Sequence, residues 1–231
     1  MMNKTNMYAI VGALLLSLSA LSWVSAPPEN NAAVSEGAIT YVLDMESDEI
    51  PAMAQFMLNG SEMVMRFKGD FVRTEFNMSM MSNTTIIDGA KNEGLILMSV
   101  MGQNWAIKMD KQMLEQQNEQ QEEAKIVYSD ETKKIAGYTC KKATIETKDG
   151  ALTMYYTEKI QPKNMNTQYT NARLKGAPLQ FEMKMDAANT VITMIAKEVS
   201  TDKQDPSLFS LEVPDGYEVK TMEELQSMQG K

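Results

Sequence analysis

Apolar and polar residues alternate with a period of two from Gly37 to Val199, and short glycine-containing turns interrupt the alternation. Successive side chains of a strand point to opposite faces, so this pattern describes strands with one dry face and one wet face. Met63, Met65 and Phe67 alternate with Val64, Arg66 and Lys68. Gly69 and Asp70 turn the chain, and Val72, Thr74, Phe76 and Met78 then alternate with Arg73, Glu75 and Asn77, which predicts a hairpin. A second hairpin is predicted where residues 135–148 meet 151–157 across Asp149–Gly150. Leu179, Phe181, Met183 and Met185 alternate with Gln180, Glu182, Lys184 and Asp186, and residues 190–199 pair back against them. Further strands are predicted over 37–45, 84–87, 94–101, 103–109 and 206–214. The tally is about nine to eleven strands. No βαβ rhythm and no internal repeat interrupts them, so the expected fold is mainly β, a curved antiparallel sheet with two or three helices.

One stretch departs from the pattern. Residues 110–124 (DKQMLEQQNEQQEEA) lack Gly, Pro and β-branched residues. Asp110 is suited to cap a helix there, and Met113 and Leu114 are its only large apolar residues, which predicts a solvated helix. A second helix is expected from about Thr221.

The N-terminus reads as a leader. Lys4 precedes a run from Met7 to Val24 with no charged residue, the layout of a secretory signal. Val24-Ser25-Ala26 has the small-residue pattern of a cleavage site, although Pro27 follows it directly; Ala20-Leu21-Ser22 is the alternative. The run is about 18 residues, the lower limit for spanning a bilayer, so an uncleaved anchor is the rival reading. The expected organisation is a signal peptide at 1–26, a proline-led linker at 27–36 and one β-rich domain at 37–231, placed in the periplasm or cell envelope.

Composition narrows the function. The formal charge is -9, and the first 26 residues hold one Lys and no acid, leaving 21 basic against 31 acidic residues. Phosphate backbones demand a basic surface, so nucleic acid is not an expected partner. The chain contains no His, which removes the usual general base, the Ser-His and Cys-His pairs and the commonest transition-metal ligand. A single Cys, Cys140, leaves neither a disulfide within the chain nor a Cys-rich zinc site. No phosphate loop and no G-x-S-x-G elbow occurs. Asp44, Glu46, Asp48 and Glu49 resemble a calcium loop, but the sixth place from Asp44 is Glu49 where Gly is required, and the twelfth is Gln55 where Glu is required. No catalytic residue, metal or cofactor is expected, and the chain reads as a non-enzyme. Cys140, between Lys141 and Lys142, reads as a small buried hydrophobe, with a reactive thiolate as the alternative.

Three stretches in order carry a family resemblance: KKIAGYTCKKA at 133–143, Met154-Tyr155-Tyr156-Thr157, and FSLEVPDGY at 209–217. Together they resemble the exported domain-of-unknown-function family numbered 4412, found in envelope proteins of Gram-negative bacteria. That family is similar to the LolA/LolB-like lipoprotein-carrier fold. The resemblance implies an incomplete barrel, in which a curved antiparallel sheet holds an apolar cavity covered by helices. Its motifs are turn-forming in type, and it assigns no residue a role.

The chain holds 22 Met, a side chain that fills irregular gaps and suits adaptable apolar surfaces. Met65, Phe67, Phe76, Trp105, Phe181 and Met183 fall on single predicted strand faces and are the expected lining of a site for a lipid or other apolar small molecule. The alternative is a filled core, with an envelope protein as partner on a sheet edge or on the acidic helix. The mature N-terminus tests the leader. The intact mass of protein recovered from the cell envelope is expected to lack the leader, and a chain still beginning at Met1 would favour the anchor.

Overall fold

The computed structural model describes residues 33–44, 60–79, 81–120, 125–147, 150–163, 174–185 and 190–224. The leader, most of the linker and three of the four calcium-loop acids lie outside the described residues.

Twelve strands form one open sheet that does not close into a barrel, so the expected mainly β architecture holds, with a strand count slightly above that read from period. The first half is a meander of β1 (Glu36–Asp44), β2 (Glu62–Lys68), β3 (Phe71–Asn77), β4 (Met81–Asp88), β5 (Glu93–Val100) and β6 (Gln103–Met109). The helix α1 (Lys111–Gln120) follows, its first turn closed by the Met113 amide donating to Asp110 Oδ1 at 2.9 Å, the predicted cap. A second meander contains β7 (Lys125–Ile135), β8 (Tyr138–Thr147), β9 (Gly150–Thr157), β10 (Ala177–Met185) and β11 (Thr190–Ser200). The last strand of the second meander pairs with the first strand of the first: β11 runs antiparallel to β1, from Ala38 against Ser200 to Asp44 against Thr193. The two outer meander strands, β6 and β7, are the two that α1 stands between in the chain, and the helix contacts β6. β7 also touches β11, four places away in the sheet order, which requires the second meander to curl on itself.

Two expectations need correction. Residues 135–148 do not form one strand. The backbone is left-handed at Ala136 (φ 47°) and Gly137 (φ 85°), the pair of positive φ values of a tight hairpin turn, so Ile135 ends β7 and Tyr138 begins β8. Residues 206–214 do not join the sheet either. They form a short 3-10 turn, Pro206–Phe209, followed by an extended strap. Pro206 and Pro214 have no N–H for a ladder, yet Phe209, Leu211 and Val213 still face one way, which accounts for the strand-like period. After a turn through Gly216 (φ 84°) the chain reaches β12 (Glu218–Val219), which pairs in parallel with Trp105 and Ala106 of β6.

The main core gathers Ile39, Tyr41, Met63 and Phe67 from β1 and β2, Leu179, Met194 and Ala196 from β10 and β11, and the β7–β8 tip residues Ile135, Tyr138 and Cys140. Tyr41 is central to it. Its ring meets Phe181 edge-on with centroids 5.4 Å apart, and its buried hydroxyl donates to the Pro178 carbonyl at 2.7 Å. Burial pushes that phenol's pKa up, so it remains a neutral donor.

Two outcomes follow from this core. Tyr41→Phe keeps the ring but orphans the Pro178 carbonyl, and is expected to cost about 1–3 kcal/mol by urea unfolding. The Cys140 thiol is fully buried and pushed up to about 11 by burial. It is therefore expected to resist iodoacetamide at pH 8 in the native protein and to react once the protein is unfolded.

Candidate functional site

Residues opposite one another in an antiparallel ladder project to the same face, so the registers define continuous rows. One row crosses Tyr41, Met63, Phe76, Asn83, Met98 and Trp105. Its neighbour crosses Ile39, Met65, Thr74, Thr85, Ile96 and Ile107, and a third crosses Gly37, Phe67, Val72, Ile87, Gly94 and Met109. Together with Leu43, Met81, Val100 and Gln103, these positions make one face of β1–β6, and none of them is Asp, Glu, Lys or Arg.

The opposite face has another character. Arg73 donates from Nε and Nη2 to Glu75 Oε1 at 2.9 and 2.7 Å, and from Nη1 to the Leu208 carbonyl at 2.8 Å. Arg66 Nη1 donates to Gln204 Oε1 at 3.3 Å, while Lys68 Nζ donates to the Gln204 carbonyl at 2.8 Å and to Glu36 Oε1 at 2.7 Å. The Lys68 hydrogen bond, followed by that from the Gln204 amide, holds the Glu36 carboxyl below its ordinary range. These polar clamps tie the strap across the charged face. Phe209 packs on Phe71 there, and Leu211, Val213 and Tyr217 cover Leu95, Leu97 and Ala106. The charged face is therefore roofed by the chain's own C-terminal segment.

The charge-free face changes along the sheet. Around β1 and β2 it is core, with Ile39, Tyr41 and Phe67 fully buried. Between β2 and β6 it is less covered, with Met65, Val72, Phe76, Ile87, Ile96, Met98 and Trp105 half-buried, while Ile107 and Met109 of β6 are buried again. At the β6 margin a groove of about 630 Å³ is lined by Ile107 and Met109 of this face, by Lys108 of β6, by Met113 and Gln116 of α1, and by residues 219–223, which include Lys220 and Glu223. Thr221 and Glu224 fix the far wall through reciprocal capping: the Glu224 amide donates to Thr221 Oγ1 at 3.2 Å, and the Thr221 amide to Glu224 Oε2 at 2.8 Å.

Of the six residues expected to line a site, Met65, Phe67, Phe76 and Trp105 share this face. Phe67 is a fully buried core ring, while Met65, Phe76 and Trp105 are half-buried. Phe181 stands beyond Tyr41 on β10, half-buried between the main core and the Ile145–Met154 cluster. Met183 pairs with Ile192 in the β10–β11 ladder. Sequence reasoning missed Ile87, Ile96 and Met98. Residues 94–101 are apolar at nearly every position, so alternation gave no cue to which side chains share a face with Trp105. Cys140 lies away from the open part of the face, in the main core near Tyr41. Among the described residues no three His, Cys, Asp or Glu side chains come together as a metal site.

No curated protein matches the chain. Among solved structures, PNGF-II in two crystal forms is similar at 18% and 17% identity, with TM-scores of 0.48 and 0.47. Those matches cover 85% and 84% of this chain but 34% and 32% of the PNGF-II chains, so the chain spans about a third of their length. An uncharacterised conserved protein from Thermus thermophilus is similar at 10% identity over 81% of this chain and 91% of its own, with a TM-score of 0.47. The family model described as the N-glycanase peptide, N-terminal domain, matches residues 73–213 and describes a domain separate from the rest of the enzyme. That match covers more than half of the 231 residues, and the chain belongs to the PNGase F-II N-terminal domain family.

Proposed function

We propose that this domain is an exported, non-catalytic binding module that holds a lipid or similar apolar molecule against the open part of its charge-free face. The observation that carries the reading is the half-burial of Met65, Phe76, Ile87, Ile96, Met98 and Trp105 on a face with no charged residue across six strands. Contiguous apolar surface of this kind marks binding sites rather than ordinary solvent-facing sheet. From Phe76 to Trp105 the row crosses three strand spacings, about 14 Å, enough to lay a hydrocarbon chain across it. The resemblance to LolA-like carriers points the same way. The absence of His and of any catalytic motif supports a non-enzymatic role.

Family membership favours a second reading, in which the domain is a partner module for an N-glycanase activity carried elsewhere. The exposed side chains of the outer strand β7 would then serve as the contact surface for an envelope or enzyme partner. Copurification of a protein partner with a ligand-free domain would favour that reading.

The first test uses Trp105, which becomes the only Trp of the chain when Trp23 is changed to Phe. A brominated lipid seated on the face is expected to quench its emission. Affinity in a series of alkyl chains is expected to rise about tenfold for every two added CH2 groups until the face is filled. Native mass spectra of gently purified protein are expected to show an apolar adduct lost on organic extraction. Unchanged Trp105 emission together with a clean apo mass would sink the proposal.

A further inference from the structure

Methionines gather at one end of the first meander. The β3–β4 turn is closed by the Met78 amide donating to the Met81 carbonyl at 2.8 Å, so Met78 and Met81 stand at its two ends. Met81 lies opposite Val100 in the β4–β5 ladder, and Met101 follows as the first residue of the short turn between β5 and β6. The three side chains line one open pocket of about 460 Å³ together with Ser79, Ser82 and Ser99, and no residue lining it is charged. Met80, between Met78 and Met81 in the chain, lies outside the described residues. Met101 is the unusual member. It is 77% exposed, and its backbone is left-handed at φ 51°, in a turn position that prefers Asn, Asp or Gly. Ala136 holds the equivalent place in the β7–β8 turn, but Ala136 packs against the main core. Met101 neither buries its side chain nor suits its backbone, and an outlier of this kind points to function.

We propose that Met78, Met81 and Met101 form a binding site for a soft monovalent metal ion, Cu(I). Thioether sulfur is uncharged and polarisable, and it selects Cu(I). Zn(II) takes thiolate, imidazole or carboxylate, and Mg(II) and Ca(II) take oxygen. The expectation of no metal rested on His and Cys, and it leaves thioether ligation open. Three neutral sulfurs would leave the ion its single positive charge, and the pocket brings no Lys or Arg to repel it. Three more methionines, Met109, Met113 and Met222, line the groove at the other end of β6. Met109 is buried there, and Lys108 and Lys220 stand against Glu223 alone, so that groove disfavours a cation. Cys140, a stronger soft ligand, is fully buried in the main core and does not compete. The proposed ion site is independent of the apolar-ligand reading.

The experiment titrates the full chain with Cu(I) against bicinchoninate, under ascorbate and without oxygen, and repeats the titration with Zn(II). The chain is expected to withdraw one Cu(I) from the competitor and to leave Zn(II) unbound. Met81→Leu and Met101→Leu, which keep side-chain size, are each expected to weaken Cu(I) binding by about tenfold or more. Met113→Leu, in the far groove, is expected to leave it unchanged. In a second measurement Ag(I), a redox-inert stand-in for Cu(I), is added to the unsubstituted chain with isotope-labelled methionine methyl groups. The Met78, Met81 and Met101 signals are expected to shift. No uptake from the competitor, or Zn(II) held as tightly as Cu(I), overturns the proposal. Binding unchanged in both the Met81 and Met101 variants, or shifts confined to other methionines, overturns the assignment to this pocket. The Ag(I) spectra decide the matter even if a variant fails to fold. Neither result bears on Trp105 quenching, which judges the apolar-ligand reading separately.

Discussion

The ladder between β1 and β11 joins residues near the start of the domain to residues near its end, and the rest of the architecture depends on it. Each meander is assembled from local hairpins, whose closure costs little entropy. The β1–β11 pairing must close a loop of about 150 residues, from Asp44 to Thr193, before any of its hydrogen bonds form. What repays that closure is concentrated at β1. Ile39 and Tyr41 are fully buried, and Tyr41 alone contacts Phe181 and reaches the Pro178 carbonyl in the second meander. With this seam made, twelve strands share one sheet and the two meanders share one core. Without it, the chain would hold two partial sheets, each with an uncovered apolar face.

The seam also sorts the two faces of the first meander. Once β1 is in register with β2, alternation sends Arg66, Lys68, Arg73 and Glu75 to one side and Met65, Phe67, Val72 and Phe76 to the other. The charged side attracts the C-terminal strap through Gln204 and the Leu208 carbonyl, and a second small core of Leu95, Leu97 and Ala106 forms beneath it. The apolar side is filled where the second meander curls over it and is only half-buried from Phe76 across Met98 to Trp105. Binding capacity in this reading comes from where the core stops, and no dedicated loop is needed.

Much of this was legible in the residues. Strict alternation in 62–77 and 179–185 fixed strands, faces and the first hairpin, and the helix after Asp110 followed from composition and its cap. The make-up of the charge-free face was legible in part. That Met65, Phe76 and Trp105 share the charge-free face followed from the alternation of their strands. Ile96 and Met98 could not be placed on it, because β5 is apolar on both faces, roofed by the strap on one and half-open on the other. The turn at Ala136–Gly137 was hidden because Ala carries no turn signal and takes its positive φ only in this tertiary setting. The strap imitated a strand because an extended chain lying on a surface has the same period as one hydrogen-bonded in a ladder. The β1–β11 seam left no local trace, since pairing partners so far apart impose nothing on the residues between them.

The failure of the sheet to close leaves two edges, and the chain treats them differently. β7 guards itself. Lys125, Lys133 and Lys134 lie along it, and its ladder with β8 slips by two residues between Tyr128 and Thr132, so it is a poor template for another strand. β6 has Trp105, Ile107 and Met109 along its length and no such bulge. Its protection is β12, a mere two residues at the end of the strap. The C-terminal segment is therefore a guard against self-association as well as a roof. A chain cut before Glu218 would keep nearly all of its core yet leave the β6 edge uncovered toward its own copies.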